Sequence, residues 1–334
     1  MDIRRGGKLL IIKNRSIPKE IRVYEAIVRR FPANHPRKAE FENKLSRKRA
    51  GYKGEKELDY HISQIDHYNL TILHDLRIPY NGTHFQIDSL LLSNSLIIPI
   101  DSKYYAGTLE FYPEFNQMIQ YLNGFEKAYL DPILQAKTQA RQLQAFLKSQ
   151  QFSPPPFEPL VAITYSQALI KNPTQNKEVS QRVFKTPGIF YKLSPYLEKY
   201  QKEILTDQDV KKIARLLMRK NTPYLPDLKA MNPPFDELQT GVECPSCHTL
   251  GMERIHGVWG CRKCGHLSKD AHINALKDYY LIYGPSITNK QFRDFLQLSS
   301  IHQAKRLLLS MDLDSSGTKK GRVYKPGKNF DLWS

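Results

Sequence analysis

The chain has 334 residues, with 50 Lys plus Arg against 33 Asp plus Glu, a formal charge of +17. Hydrophobic residues make up 40% of it, with 15 Phe and 19 Tyr, which excludes a disordered chain and suits two or three domains. No apolar run approaches the roughly 18 residues a membrane span needs. The apolar stretch in the opening MDIRRGGKLLIIKN is too short for a secretory leader, so a cytoplasmic protein without a membrane partner is expected.

Residues 1–53 carry 16 basic and 5 acidic side chains, residues 54–243 carry 20 and 21, and residues 244–334 carry 14 and 7. Basic ends around a near-neutral middle fit a polyanion, and nucleic acid is the expected partner. Residues 18–32 read as a helix ended by Pro32, and 36–50 as a second, basic one. Residues 1–50 thus form a basic helical extension in which Arg47, Lys48 and Arg49 are candidate phosphate contacts. After Gly51-Tyr-Lys-Gly54 a helix is expected over about 55–66. Strands follow near 70–78, 84–92 and 95–104, with turn chemistry at Asn81-Gly82 and Ser93-Asn94. Ile133, Ala136, Ala140, Leu143 and Leu147 give an amphipathic helix over 132–148. Leu160–Tyr165 reads as a buried strand and Gly188–Tyr191 as a short one. A helix near 207–220 and a proline-rich linker complete residues 206–240.

Three carboxylates in this stretch are costly for structure alone. Glu55 lies three residues before Leu58, on the same helix face as Leu58 and Ile62, and needs a cation to satisfy it. Alternation in the second strand puts Phe85, Ile87, Ser89 and Leu91 on one face and Asp88 on the other. In the third, Asp101 and Lys103 stand side by side. Such a set suits a Mg²⁺-dependent phosphodiesterase: hard oxygen ligands hold the ion, and a lysine offsets charge in the transition state. The same spacing also suits an edge-strand ion pair and a Glu at a helix N-terminus, and Pro99 is awkward in a central strand.

Gly54-Glu55, Phe85-Gln-Ile-Asp88 and Asp101-Ser-Lys103, with Gly107 four residues on, resemble the NERD (nuclease-related) domain and the wider PD-(D/E)XK and Mrr-like nuclease fold. Phe115-Asn-Gln-Met118 and Asp131-Pro-Ile-Leu-Gln135 extend the match. The resemblance implies an α/β (α+β) restriction-endonuclease-like core over residues 51–205, a mixed sheet flanked by helices. It implies Glu55, Asp88 and Asp101 as Mg²⁺ (or Mn²⁺) ligands, Lys103 as the catalytic lysine, and a catalytic place for Gln135. The implied function is a metal-dependent DNA endonuclease in DNA processing, repair or defence, in a bacterial, nucleoid-associated setting. The family usually shows Glu-x-Lys-Asn, whereas this chain has Asp101-Ser102-Lys103-Tyr104. That departure supports the alternative, a non-catalytic DNA-binding or regulatory protein on a degenerate nuclease scaffold.

Cys244-Pro-Ser-Cys247 and Cys261-Arg-Lys-Cys264 are two knuckles thirteen residues apart, the spacing of a closed tetrahedral zinc site. A zinc ribbon is therefore expected over 241–270, with Arg262 and Lys263 as candidate nucleic-acid contacts. In residues 271–334, Thr288–Gln291 and Ser300–Gln303 read as capping boxes opening helices over about 289–298 and to Met311. A basic hairpin follows. This order resembles a winged helix with Lys305 and Arg306 on the recognition helix and Lys319 and Lys320 on the wing, and it also fits a plain helical hairpin with a flexible basic end. A homodimer is left open.

Overall fold

The computed structural model describes residues 9–65 and 68–333, without the side chain of Lys320. In chain order the elements begin with β1 (Leu9–Lys13), α1 (Lys19–Arg30), α2 (Lys38–Ser63), β2 (Leu70–Tyr80), β3 (Thr83–Leu92) and β4 (Ile97–Lys103). Next come β5 (Thr108–Tyr112), β6 (Gln117–Leu122), β7 (Phe125–Leu130), α3 (Pro132–Ser149), β8 (Leu160–Ile163), β9 (Leu169–Lys171), α4 (Lys177–Arg182) and β10 (Val183–Lys185). Helices α5 (Ile189–Lys199), α6 (Asp207–Lys220) and α7 (Leu228–Met231) precede β11 (Val242–Glu243), β12 (Leu250–Ile255), β13 (Val258–Gly260) and β14 (Leu267–Ser268). The last are α8 (Ala271–Tyr283), β15 (Ile287–Thr288), α9 (Asn289–Leu296), α10 (Ile301–Ser310), β16 (Leu313–Ser316) and β17 (Val323–Pro326). The fold is mixed α+β, as expected. It divides into two compact units, the first holding the chain up to Ser16 with Arg49–Tyr224, the second Ile17–Lys48 with Leu225 onward.

The first unit is built on a six-stranded sheet of order β1-β2-β3-β4-β8-β10. Strands β2, β3 and β4 are antiparallel neighbours, while β1, β8 and β10 join in parallel. On one face, Leu143 and Phe146 of α3 and Ile213 and Leu217 of α6 pack against Leu76, Ile78, Phe85 and Ile87. On the other, Leu58 and Ile62 of α2 and Leu193 of α5 pack against Ile72, Leu91, Ile98 and Leu160. Each such fully buried aliphatic side chain contributes about 1.5–3 kcal/mol. A second sheet, β7-β6-β5-β9, buries Leu109, Phe111 and Met118 against Ile133 and Ala136 of α3. Gly107 leads into it with φ +82°, and a Cβ there would stand 2.2 Å from the Tyr121 carbonyl oxygen, so only glycine fits.

Several expectations change in detail. Helix α2 is one 26-residue helix running through Gly51 and Gly54, not two helices. Its glycines each cost about 1 kcal/mol in a helix interior, which burial of Phe41, Leu45, Leu58 and Ile62 outweighs. Residues from Ile189 are helical, and the strand expected at Gly188–Tyr191 lies earlier, at β10. Pro99 sits in a central strand after all. Its missing N–H falls between an isolated bridge at Ile97 and the β8 ladder that starts at Ile100. Strict alternation also fails in β3, since Leu91 faces the α2 layer while Phe85 and Ile87 face the α3 layer. The register with β2 is the same on both sides of the break. The pair Asp75 and Asp88 drops out of the ladder, with Asp75 at φ +51°, and both strands exchange faces there.

In the second unit the basic N-terminal helices are part of a core rather than an arm. The fully buried Arg30 of α1 donates to Asp278 of α8 (2.9 Å) and to the carbonyls of Gln239 and Gly241. One apolar cluster joins Val242, Met252 and Trp259 of the cysteine-bearing strands to Leu276, Tyr280, Phe292, Phe295 and Leu308 of the helices that follow. The small strands form two sheets, β11-β12-β13-β14 and β15-β17-β16.

Candidate active site and cysteine centre

The antiparallel ladder between β3 and β4 ends at Ser89 opposite Ile100, and the next facing positions in that register are Asp88 and Asp101. There the strands part, and the Asp88 carboxylate takes over: its Oδ2 accepts from the Ser102 N–H and from Ser102 Oγ, both at 2.8 Å. Asp101 is buried, with Oδ2 at 2.8 Å from Lys103 Nζ and Oδ1 accepting from Gln139 Nε2 at 3.4 Å. Alternation thus brings Asp101 and Lys103 together as expected. The glutamine of α3 that reaches Asp101 is Gln139. Gln135, favoured by its motif position, lies one turn earlier, its N–H donating to the Asp131 carbonyl (3.1 Å).

Glu55 reaches this region because α2 comes in close at Gly54. A Cβ on Gly54 would lie 2.2 Å from Thr164 Oγ1 and 2.8 Å from the Tyr104 ring. Tyr104, where the family has Asn, stacks edge-on against Tyr165, centroids 5.2 Å apart, and so helps to wall the helix approach. The cation that Glu55 requires is Arg15, just after β1, a residue to which no motif or spacing in the sequence points. Its side chain is 1% exposed and donates to Glu55 Oε2 (2.8 Å), to Asp59 Oδ2 (2.9 Å), to the Asp88 carbonyl (2.7 Å) and to Ser89 Oγ (3.2 Å). His74 Nδ1 closes the set, 3.0 Å from both Asp59 Oδ1 and Ser89 Oγ.

Like charges in a half-buried space disfavour ionisation. Burial, reinforced by Asp88, pushes Glu55 up to about 7 despite Arg15. Burial likewise pushes Asp101 up to about 6; Lys103 opposes this and Asp88 adds to it. Burial works against the Lys103 charge, but Asp101 beside it prevails and raises the lysine above its ordinary value. Asp101 Oδ2 meets no donor in hydrogen-bond geometry, although the ammonium is near. A buried carboxylate oxygen in that state, with the Asp88 carboxylate close enough to oppose its ionisation, fits a hard divalent cation. The three are not drawn together as tightly as the cysteines are: among the described residues they form no cluster of ligand atoms comparable to the thiols.

Other family positions serve the scaffold. Asp131, buried, caps α3 by accepting from the Ile133 N–H (2.9 Å), and Pro132 takes the first helical position. The Asp131 N–H in turn donates to the carbonyl of Asn116, which sits at φ +53° in the turn before β6.

In the second unit the Sγ atoms of Cys244, Cys247, Cys261 and Cys264 lie within 4.8 Å of one another. The Cys244–Cys264 and Cys247–Cys261 pairs are 3.6 Å apart, too far for disulfides and close to the roughly 3.8 Å edge of a tetrahedron with 2.3 Å Zn–S bonds. The two knuckles match in detail. The N–H of His248 returns to the Cys244 carbonyl and that of Gly265 to the Cys261 carbonyl, with both residues at positive φ. Four thiols so placed could hold a zinc ion.

Among the candidate nucleic-acid contacts, Lys48 is paired with Glu20 (2.6 Å) and Arg262 with Glu253 (2.7 Å). Arg47 is exposed, its Nε donating to the Asn43 carbonyl, and Arg49 is exposed. Lys263, Lys305, Arg306 and Lys319 are exposed and form no ion pair among the described residues. The side chain of Lys320 lies outside the described residues. No described helix is long and apolar enough to cross a membrane.

Neither a curated protein nor a solved structure matches the chain. A family model does, over the stretch that contains the acidic centre from Glu55 to Lys103 and the Gln139 that meets it. Residues 50–164 match NERD, the nuclease-related domain, and the chain therefore carries a nuclease-related domain.

Proposed function

We propose that this protein is a metal-dependent DNA endonuclease, hydrolysing phosphodiester bonds at the acidic centre of the first unit. The observation that carries the reading is the parting of β3 and β4 at Asp88 and Asp101, which leaves Asp88, Asp101 and Lys103 at the break, with Glu55 of α2 coupled through its charge to Asp88. Asp88, Asp101 and Glu55 would hold Mg²⁺ or Mn²⁺. When bound, such an ion activates water and offsets charge on the phosphate. The chain's own residues supply the rest. Lys103 keeps its proton because of Asp101, so it meets the substrate as a cation and offsets charge that grows on the phosphate oxygens. Gln139 Nε2 donates to Asp101 Oδ1, and the Lys103 ammonium lies 2.8 Å from Oδ2 outside hydrogen-bond geometry, which leaves that oxygen open to a cation. Glu55, near 7, can hold or release a proton at neutral pH, and Arg15 fixes where its carboxylate points.

The second unit serves substrate binding in this reading. The strand order β15-β17-β16, with α8, α9 and α10 before the hairpin, supports a winged helix, Lys305 and Arg306 facing DNA from α10 and Lys319 from the wing. A structural zinc on the four cysteines stabilises its base. One observation favours a second reading, a non-catalytic DNA-binding scaffold: the Glu55 carboxylate is already engaged by Arg15 at 2.8 Å.

Incubating the purified protein with supercoiled plasmid separates the two. Nicking in Mg²⁺ or Mn²⁺ that stops with EDTA and returns with added metal supports the nuclease. DNA binding without nicking in either metal supports the scaffold.

A further inference from the structure

A groove of about 440 Å³ opens in the first unit between the end of α3 and α6, lined by Gln150, Phe152, Lys212, Arg215, Leu216 and Arg219. We propose that this groove is a second nucleic-acid contact, binding the phosphate backbone of DNA away from the acidic centre; it rests on the reading of DNA as substrate.

The chemistry of α6 points to an anion. After its capping box, in which Thr206 and Asp209 bond each other reciprocally, every charged residue of α6 is basic: Lys211, Lys212, Arg215, Arg219 and Lys220. Val210, Ile213, Ala214 and Leu217 face the core and fix the helix phase, so Lys212, Arg215 and Arg219 fall on one exposed side at successive turns. Arg215 and Arg219 have no ion-pair or hydrogen-bond partner among the described residues, and Lys212 has only Asp209 at 3.8 Å. Like charges at helical spacing repel by about 0.2–0.5 kcal/mol a pair. One cation would answer the partial negative charge at the end of α3, and three exceed that need. Two free guanidinium groups one turn apart match phosphate oxygens, which they bind in bidentate fashion. The floor is firm, because Leu216 is buried and Phe152 packs on the same apolar cluster.

Position favours DNA over an acidic protein. Helix α3 carries Gln139, which meets Asp101, and eleven residues later Gln150, which lines the groove. At 1.5 Å per residue the two lie about 16 Å apart along one rigid helix. That is the rise of about five base-pair steps at 3.4 Å each, so a strand cut at Asp101 continues within reach of Arg215 and Arg219.

The test is a binding titration of the full chain, by fluorescence anisotropy with a 20-base-pair duplex in EDTA, across a salt series. Every phosphate that is no longer neutralised should lower the salt slope by about 0.9. Lys212→Ala should therefore lower it by about one, and Arg215→Ala with Arg219→Ala by about two, with a Kd at least about tenfold weaker. Arg215→Lys with Arg219→Lys should keep the wild-type slope, and thermal unfolding should be unchanged throughout. Equal slopes for wild type and both alanine variants would overturn the groove. So would variants that lose binding to poly-glutamate while keeping DNA, which would assign it to an acidic protein. EDTA keeps cleavage out of this titration, so a wild type that binds here but fails to nick plasmid in Mg²⁺ leaves the groove standing while the nuclease reading falls. A wild type that binds no duplex here overturns the groove, and nicking in Mg²⁺ decides the nuclease reading separately.

Discussion

The acidic centre and the cysteine centre are both candidate metal sites, built in opposite ways. The four thiols converge within 4.8 Å of one another. Each carboxylate of the acidic centre has a partner of its own: Arg15 for Glu55, Ser102 for Asp88 and Lys103 for Asp101. A zinc ion held by such a set would supply folding energy to the segment around it. In the proposed nuclease a cation entering the acidic centre would compete with these internal partners, as suits an ion that takes part in turnover rather than one that holds a fold together.

The comparison breaks most plainly if Cys261→Ser is harmless. Cys244 and Cys261 belong to the same core as Trp259 and Phe292, so the whole second unit should lose its fold, not the ribbon alone. Structural zinc contributes about 10–16 kcal/mol of binding free energy in small domains. Elemental analysis of reduced protein should find one zinc per chain, and proteolysis of the variant should degrade the second unit and spare the first. Zinc-free protein with ordinary unfolding would remove the contrast. Arg15→Ala probes the other side of it. Leaving Glu55 and Asp59 without their cation should cost about 3–5 kcal/mol in chemical denaturation of the first unit. A smaller effect comes from Gly54→Ala, whose methyl meets Thr164; it should cost about 1–3 kcal/mol and displace Glu55. Gly51→Ala, with nothing within 4 Å of the new Cβ, should be neutral or slightly stabilising, and equal losses for the two would mean that α2 does not need its close approach.

The comparison is sharpened also by pH. Glu55 and Asp101 sit near 7 and 6 in the fold, above their ordinary values of 4.5 and 3.8. A carboxyl with a raised folded pKa holds its proton more tightly in the fold, so its contribution is intact below the ordinary value and is lost as pH rises through the folded one. The metal-free protein should therefore lose thermal stability between about pH 4 and 7, and Mg²⁺ should raise the transition more at about pH 8 than at about pH 5.5. The same metal-induced shift at both pH values would place the ion elsewhere.

Much of the acidic centre was legible because its parts are local. The phase of α2 points Glu55 inward, and the two-residue period of β4 pairs Asp101 with Lys103. Arg15 was not, because it sits forty residues before Glu55, after a strand that reads as an apolar tail and joins the sheet only through parallel pairing with β2. The exchange of faces at Asp75 and Asp88 was hidden for a different reason, since a period of two cannot register its own interruption. Chain order misled the charge count as well. The near-neutral middle disappears once residues are grouped by fold: the first unit holds 26 basic and 18 acidic residues and the second 24 and 15. Strand β7 is hard to read because its Phe125 and Leu130 are exposed, whereas β5 and β6 alternate regularly, burying Leu109 and Phe111 and then Met118 and Gln120. The resemblance points to Gln135 of α3; the helix entry set by Asp131 and Pro132 gives the contact with Asp101 to Gln139, one turn later.

The central claim is that the nuclease chemistry belongs to the acidic centre, and the most direct measurement is plasmid nicking in Mg²⁺ by wild type and Asp88→Ala purified side by side. Wild type should nick and Asp88→Ala should not, with the variant unfolding as cooperatively as wild type. Equal nicking by the two would contradict the claim.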